Sequence, residues 1–136
     1  MKTLETIAVG FDDSPDARAA VRWAFTLAAN VDAHVVIVHA VGLIDRFEGR
    51  DESPELRESI QRLCDDCDFD HSRVRLHVTD GDACSVLLRA ADDPIAADLL
   101  VVGSRGQGKH PGLLLGSTSL ELAEHTTVPI VIVPSP

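Results

Sequence analysis

Five short apolar runs, each rich in β-branched residues, alternate along this chain with segments whose apolar residues recur at helical spacing. The runs are Thr6 to Phe11, His34 to Val41, Val74 to Val78, Leu99 to Val102 and Val128 to Val133. Between the first two, Ala17, Ala20, Val21, Ala24 and Ala28 mark the stripe of a helix over 15–29. Ser14-Pro15 opens it with an N-cap and a proline at the first helical position. Ser53-Pro54 repeats that signal before Leu56, Ile60, Leu63, Cys64 and Cys67. A third helix follows Asp80-Gly81-Asp82 and carries Val86, Leu87, Ala90 and Ala91. A fourth spans Ser117 to His125, with Ser117 as its expected N-cap and Thr118 and Glu121 at capping-box spacing. Strands that are apolar on both faces, separated by amphipathic helices, imply a parallel sheet covered on both sides.

In an open sheet of that kind, ligands bind outside the carboxyl ends of the strands, where the strand order reverses. Two segments of this chain leave such ends. One is the turn Asp12-Asp13-Ser14 after the first strand. The other is the stretch from Gly103 to Ser117, which holds five of the nine glycines. Glycine lets a bare backbone approach a ligand closely, and such a loop ending at a helix start is suited to cradling phosphate. Gly103 to Lys109 reads G-x-x-x-x-G-K, the opening of a P-loop, but the hydroxyl residue that should follow is replaced by His110. Pro111 and Gly112 are poor material for the helix a P-loop must open. A dinucleotide fingerprint from Gly106 fails as well, because Pro111 stands where Gly or Ala is required.

The 136 residues suit one domain with a single core. Twelve basic against twenty-two acidic residues give a formal charge of −10, which argues against a nucleic-acid partner. The glycine loop is locally basic, with Arg105, Lys109 and His110 and no acid, so a mononucleotide in one pocket remains compatible with that charge. No apolar run approaches the roughly 20 residues of a membrane span. Met1-Lys2-Thr3-Leu4-Glu5 lacks a signal-peptide core, and the expectation is a cytoplasmic protein. Residues 42–52 read as a charged connection.

Cys64, Cys67 and Cys84 make an odd number and argue against a disulfide framework. Cys64-Asp-Asp-Cys67 has zinc or redox spacing with His71 nearby, but no second ligand pair exists, and the aspartates raise a thiol pKa. His39, inside an apolar strand, reads as a packed histidine rather than a base, and Trp23 as a helix-surface or packing residue.

What remains of the loop, Gly103-x2-Gly106-x9-Gly116-Ser117, is similar to the nucleotide motif of the ATP-binding branch of the universal stress protein family. The resemblance extends over nearly the whole chain. It includes Val9-Gly10-Phe11-Asp12-Asp13-Ser14, Val38 to Val41, Gly81-Asp82-Ala83, the run Ala97 to Gly106, and Val128 to Val133. Asp13 departs from the glycine often found in the family at that position. The expected architecture is a single Rossmann-like α/β domain over 1–136, an open five-stranded parallel sheet in the order 3-2-1-4-5.

The resemblance implies ATP as ligand, with Mg²⁺ as an accompanying ion. Asp12 would lie beside the adenosine, and the backbone of Ala40 and Val41 would meet adenine. Gly103 and Gly106 would bend the turn and expose N–H groups. Gly116 would let the phosphates approach, with Ser117, Thr118 and Ser119 supplying hydroxyl or backbone donors. The last strand, Val128 to Val133, would pair across a homodimer. The implied function is a nucleotide-dependent stress-response regulator or sensor, with no residue standing out as a water-activating base. A triphosphate with Mg²⁺ could still be positioned for slow attack by water. The rival reading is a dimeric interaction protein of the same fold that binds no nucleotide. A flavin protein of similar topology fits poorly, since the chain has no Tyr and one Trp.

Overall fold

In the computed structural model, which describes residues 3–42, 54–105 and 115–136, the strands sort their side chains strictly by position. Strand β1 (Thr6–Gly10) pairs in parallel with β2 (His34–Val41) and with β4 (Leu99–Gly103). The register aligns Val35, Ile7 and Leu99 in one row and Val36, Ala8 and Leu100 in the next. Alternate rows face opposite layers, so the strands in the middle of the sheet are apolar on both faces. Strand β3 (Val74–Asp80) pairs with β2, and β5 (Ile130–Val133) with β4, all parallel. The sheet order is β3-β2-β1-β4-β5, the expected 3-2-1-4-5.

Ile7, Val9, Val35, Ile37 and Val101 pack under α1 (Pro15–Val31) and α2 (Pro54–Asp66). Ala8, Val36, Val38, Leu100 and Val102 pack under α3 (Ala83–Arg89) and α4 (Ser117–His125). Helix α1 starts as its sequence dictates, with the Ser14 hydroxyl accepting from the Ala17 N–H at 3.1 Å and Pro15 in the first turn. Its buried stripe is largely alanine, and Ala20, Ala24 and Ala28 are fully buried. Small side chains let the helix backbone lie close to the sheet, a fact that shapes the site below.

The boundaries differ from the sequence reading in instructive ways. Strand β5 begins at Ile130 rather than Val128: Pro129 has no N–H and joins the ladder only by accepting from the Leu100 N–H at 3.0 Å. Strand β3 runs on to Asp80, where Gly81 turns the chain at φ +131°. The N-cap of α4 is Gly116, not Ser117, and no side chain caps it; Thr118 and Glu121 therefore do not form a capping box. Ser53 and most of the charged 42–52 connection lie outside the described residues. No helix among the described residues is long and apolar enough to cross a membrane.

Candidate functional site

The end of β4 is where the chain's polar groups converge. Ser104, the residue after the strand, donates its N–H to the Val133 carbonyl at 2.9 Å, extending the β4–β5 ladder by one step. Its own carbonyl accepts the Gly116 N–H at 2.6 Å and the Ser119 hydroxyl at 3.2 Å. The two sides of the glycine loop are thus tied together at its base. Gly106, Lys109 and His110 lie outside the described residues.

Gly103 is required here for a reason the motif does not announce. A Cβ at this position would stand 2.7 Å from the Asp16 backbone oxygen and 2.9 Å from the Asp16 Cβ. The first turn of α1 lies directly on the end of β4, and only glycine leaves it room. The sequence reading gave Gly103 a turn-bending and donor role; its described backbone is strand, and its constraint is helix packing.

Asp16 itself is buried, and its Oδ2 gathers three donors: Ser135 Oγ at 2.8 Å, the Arg105 N–H at 3.1 Å and Ser104 Oγ at 3.4 Å. It sits in the first turn of α1, where the helix dipole stabilises a carboxylate. Neither Asp16 nor Ser104 was singled out in the sequence. Their partners are far away along the chain, and no local pattern signals them.

Between the ends of β1 and β4 and the start of α4 lies a cavity of about 310 Å³. Its apolar side is formed by Val38, Ala40, Val86, Leu87 and Val102. Its polar side is formed by Asp12, Gly103, Arg105 and the stretch Gly116 to Ser119. Gly10 shapes the floor, since a Cβ there would meet Leu87 Cδ1 at 2.8 Å. Seven of the sequence-predicted residues therefore meet around one space: Asp12, Ala40, Gly103, Gly116, Ser117, Thr118 and Ser119. Val41 does not line it; its side chain is buried and its carbonyl accepts the Gly81 N–H at 3.2 Å. Val86, Leu87 and Arg105 join the lining without having been assigned a site role.

Arg105 and the start of α4 set positive groups around this space, with the Asp12 carboxylate also on its polar side. Helix α1 has its first-turn donors capped by Ser14, and α3 by Asp82, whose Oδ1 accepts the Ser85 N–H at 3.0 Å. That bond is the main cause holding the Asp82 carboxyl below its ordinary pKa. Helix α4 has no such cap, which leaves its positive dipole end without a side-chain acceptor, and its first residues line the cavity. Arg105 Nε is buried with no hydrogen-bond partner among the described residues.

The neighbouring turn is held by a separate network. Asp12 Oδ1 accepts the Ser14 N–H at 3.0 Å, so the helix-entry role of this carboxylate is real whatever else it does. Asp13 has φ 61°, a region glycine enters freely and Asp tolerates better than most residues. Its Oδ1 accepts from Arg18 Nη1 at 2.9 Å and from Ser59 Oγ at 2.8 Å, linking α1 to α2. His39 is half-buried and its Nδ1 donates to the Phe11 carbonyl at 2.8 Å, a structural bond.

The cysteines are protected thiols. Burial, followed by the charge of Asp65, pushes Cys64 up to about 11. Burial, followed by a hydrogen bond with Glu121, pushes Cys84 up to about 11. Cys67 is raised as well, chiefly by burial. His71 pairs through Nε2 with Asp65 Oδ1 at 2.8 Å. Among the described residues no group of three or more His, Cys, Asp or Glu is placed to hold a metal ion.

Comparison with known proteins agrees with this architecture. A universal stress protein of Mycobacterium tuberculosis is 32% identical over an alignment covering 93% of this chain and 46% of its own length. One from Mycolicibacterium smegmatis is 29% identical, covering 93% and 47%. The chain thus spans about half the length of the curated relatives it matches. Among solved structures, a universal stress protein in complex with cAMP aligns with a TM-score of 0.75 and 27% identity, covering 99% of this chain and 100% of that one. UspA from Lactobacillus plantarum shares the fold with a TM-score of 0.73 at 18% identity, covering 98% and 99%. The model of the universal stress protein family matches residues 3–134, and this chain belongs to that family.

Proposed function

We propose that this protein is a nucleotide-dependent regulator of the stress response and that ATP is its ligand. The observation that carries the reading is the uncapped start of α4 beside a cavity that Arg105 also lines, its Nε without a hydrogen-bond partner among the described residues. A site with fixed backbone donors, a positive dipole end and a guanidinium Nε–H left unpaired among the described residues is suited to phosphate. The apolar wall of Val38, Ala40 and Leu87 is suited to a base. The cAMP complex of a relative supports a nucleotide in this fold.

In this reading the phosphates meet Gly116 to Ser119, the ribose lies toward Asp12, and adenine rests on the apolar side. Any Mg²⁺ would be carried mainly by phosphate and water with Asp12 as its protein ligand, an arrangement common for this ion. The titratable side chains lining the described cavity are Asp12 and Arg105, and the proposed role is holding nucleotide rather than cleaving it. A cytoplasmic setting and a homodimer through the outer edge of β5 complete the proposal. Strand β5 ends the sheet, which leaves one side of its backbone available for pairing. A monomer in analytical ultracentrifugation would remove the dimer.

The test begins with heat release and identification of any small molecule carried by the purified protein. Titrations of ATP and AMP against wild type and Gly116→Val follow. Gly116 has φ −79° and ψ 168°, a conformation valine adopts readily, so the substitution blocks approach without straining the turn. Binding should weaken by about tenfold or more, some 1.4 kcal/mol. Absence of binding to wild type, or equal binding by the variant, sinks the reading.

A further inference from the structure

We infer that Arg105 is the cavity's phosphate-reading residue, engaging the ligand through Nε and setting the preference for nucleotides over nucleosides. The inference rests on the nucleotide reading above and assigns its selectivity to one side chain.

A buried donor without an acceptor costs about 1–3 kcal/mol, so proteins rarely keep one without a use. Among the described residues Arg105 Nε is such a donor, and the residue lines the cavity. Its main chain is anchored, since its N–H donates to Asp16 Oδ2 at 3.1 Å. The carboxylate therefore serves the backbone of Arg105 and the hydroxyls of Ser104 and Ser135, not the guanidinium. The guanidinium keeps its charge, and its planar edge presents Nε–H beside Nη–H, the fork that fits two phosphate oxygens. Ser117 to Ser119 at the start of α4 line the same cavity, so one anion can be held by both. A nucleoside fills the apolar side but leaves Nε unpaired. That difference is the source of the discrimination.

The experiment measures adenosine, AMP and ATP affinities by calorimetry for wild type, Arg105→Gln and Arg105→Lys, with the melting temperature of each ligand-free protein. Wild type should prefer AMP to adenosine by at least about tenfold. Arg105→Gln should lose that preference while keeping its adenosine affinity, with a ligand-free melting temperature no lower than that of wild type. Arg105→Lys keeps a charge but has no Nε, and should not restore the preference. An AMP-to-adenosine ratio unchanged in either variant overturns the assignment. So does a lowered melting temperature with the ratio intact, which would mark Arg105 as structural. Wild type that binds neither AMP nor ATP defeats the nucleotide reading itself, a result distinguishable from the others.

Discussion

The carboxylate of Asp16 accepts the backbone N–H of Arg105 at 3.1 Å across 89 positions of sequence. Through this bond the first turn of α1 sets where the chain leaves β4, and so where the Arg105 side chain enters the cavity. The same oxygen accepts the Ser135 hydroxyl at 2.8 Å, which binds the residues after β5 to the same point.

Asp16→Ala should therefore be among the more damaging polar substitutions in the chain. It strands three donors around a buried position, at a cost of about 1–3 kcal/mol for a lost buried acceptor. For a domain of this size each kcal/mol lowers Tm by roughly 3–5 °C. Asp16→Asn keeps an acceptor and should lose less. Thermal melts check this, and an alanine variant with wild-type Tm would show the network to be idle.

Two glycines at the carboxyl ends of β1 and β4 should respond differently to the same change. Gly103→Ala drives a Cβ to 2.7 Å from backbone oxygen, which cannot move without displacing α1. Overpacking of that kind costs about 1–3 kcal/mol. Gly10→Ala meets side-chain atoms alone, Leu87 Cδ1 at 2.8 Å and Val102 Cγ1 at 3.3 Å, which can shift more readily than backbone. Gly10→Ala should fold with a smaller loss and a reshaped cavity. Equal destabilisation by the two would contradict the packing role assigned to Gly103.

The buried thiols predict both chemistry and a pH dependence. At pH 8 in the native protein, Cys64 and Cys84 should resist alkylation, and all three cysteines should react once the chain is unfolded. Their native pKa values are raised from 9.0 to about 11, so the unfolded chain releases these protons first. Their contribution to stability is intact below pH 9 and declines as the pH rises toward 11. Denaturant melts between pH 8 and 11 test this, with Cys64→Ala/Cys84→Ala expected to flatten the decline. Rapid native labelling at pH 8 would contradict it.

Much of the fold could be read directly because burial on both faces leaves a plain trace. Ile7, Ala8 and Val9 are all fully buried, so β1 reads as an unbroken apolar run. The start of α1 was equally visible in Ser14 and Pro15. The start of α4 was not. Ser117 looks like a cap, but the Gly116 N–H is pinned to Ser104 at 2.6 Å, and this fixes the helix entry one residue earlier. Ser119, expected to face a ligand, turns its hydroxyl to the Ser104 and Gly116 carbonyls. Gly103 was recognised but its constraint was not, because a clash with Asp16 exists only after α1 has docked. Asp16 was invisible for the same reason: its use depends on partners brought together by the finished sheet.

The central claim is that the cavity between β1, β4 and α4 holds nucleotide. Its most direct test is the change in assigned backbone amide NMR shifts as AMP or ATP is added to the ¹⁵N-labelled protein. The account predicts saturable shifts at Gly10, Asp12, Gly103, Arg105 and Gly116 to Ser119, with Trp23 on the exposed side of α1 and His71 unmoved. Absence of saturable shifts, or shifts confined to residues away from the cavity such as Trp23 and His71, would contradict it.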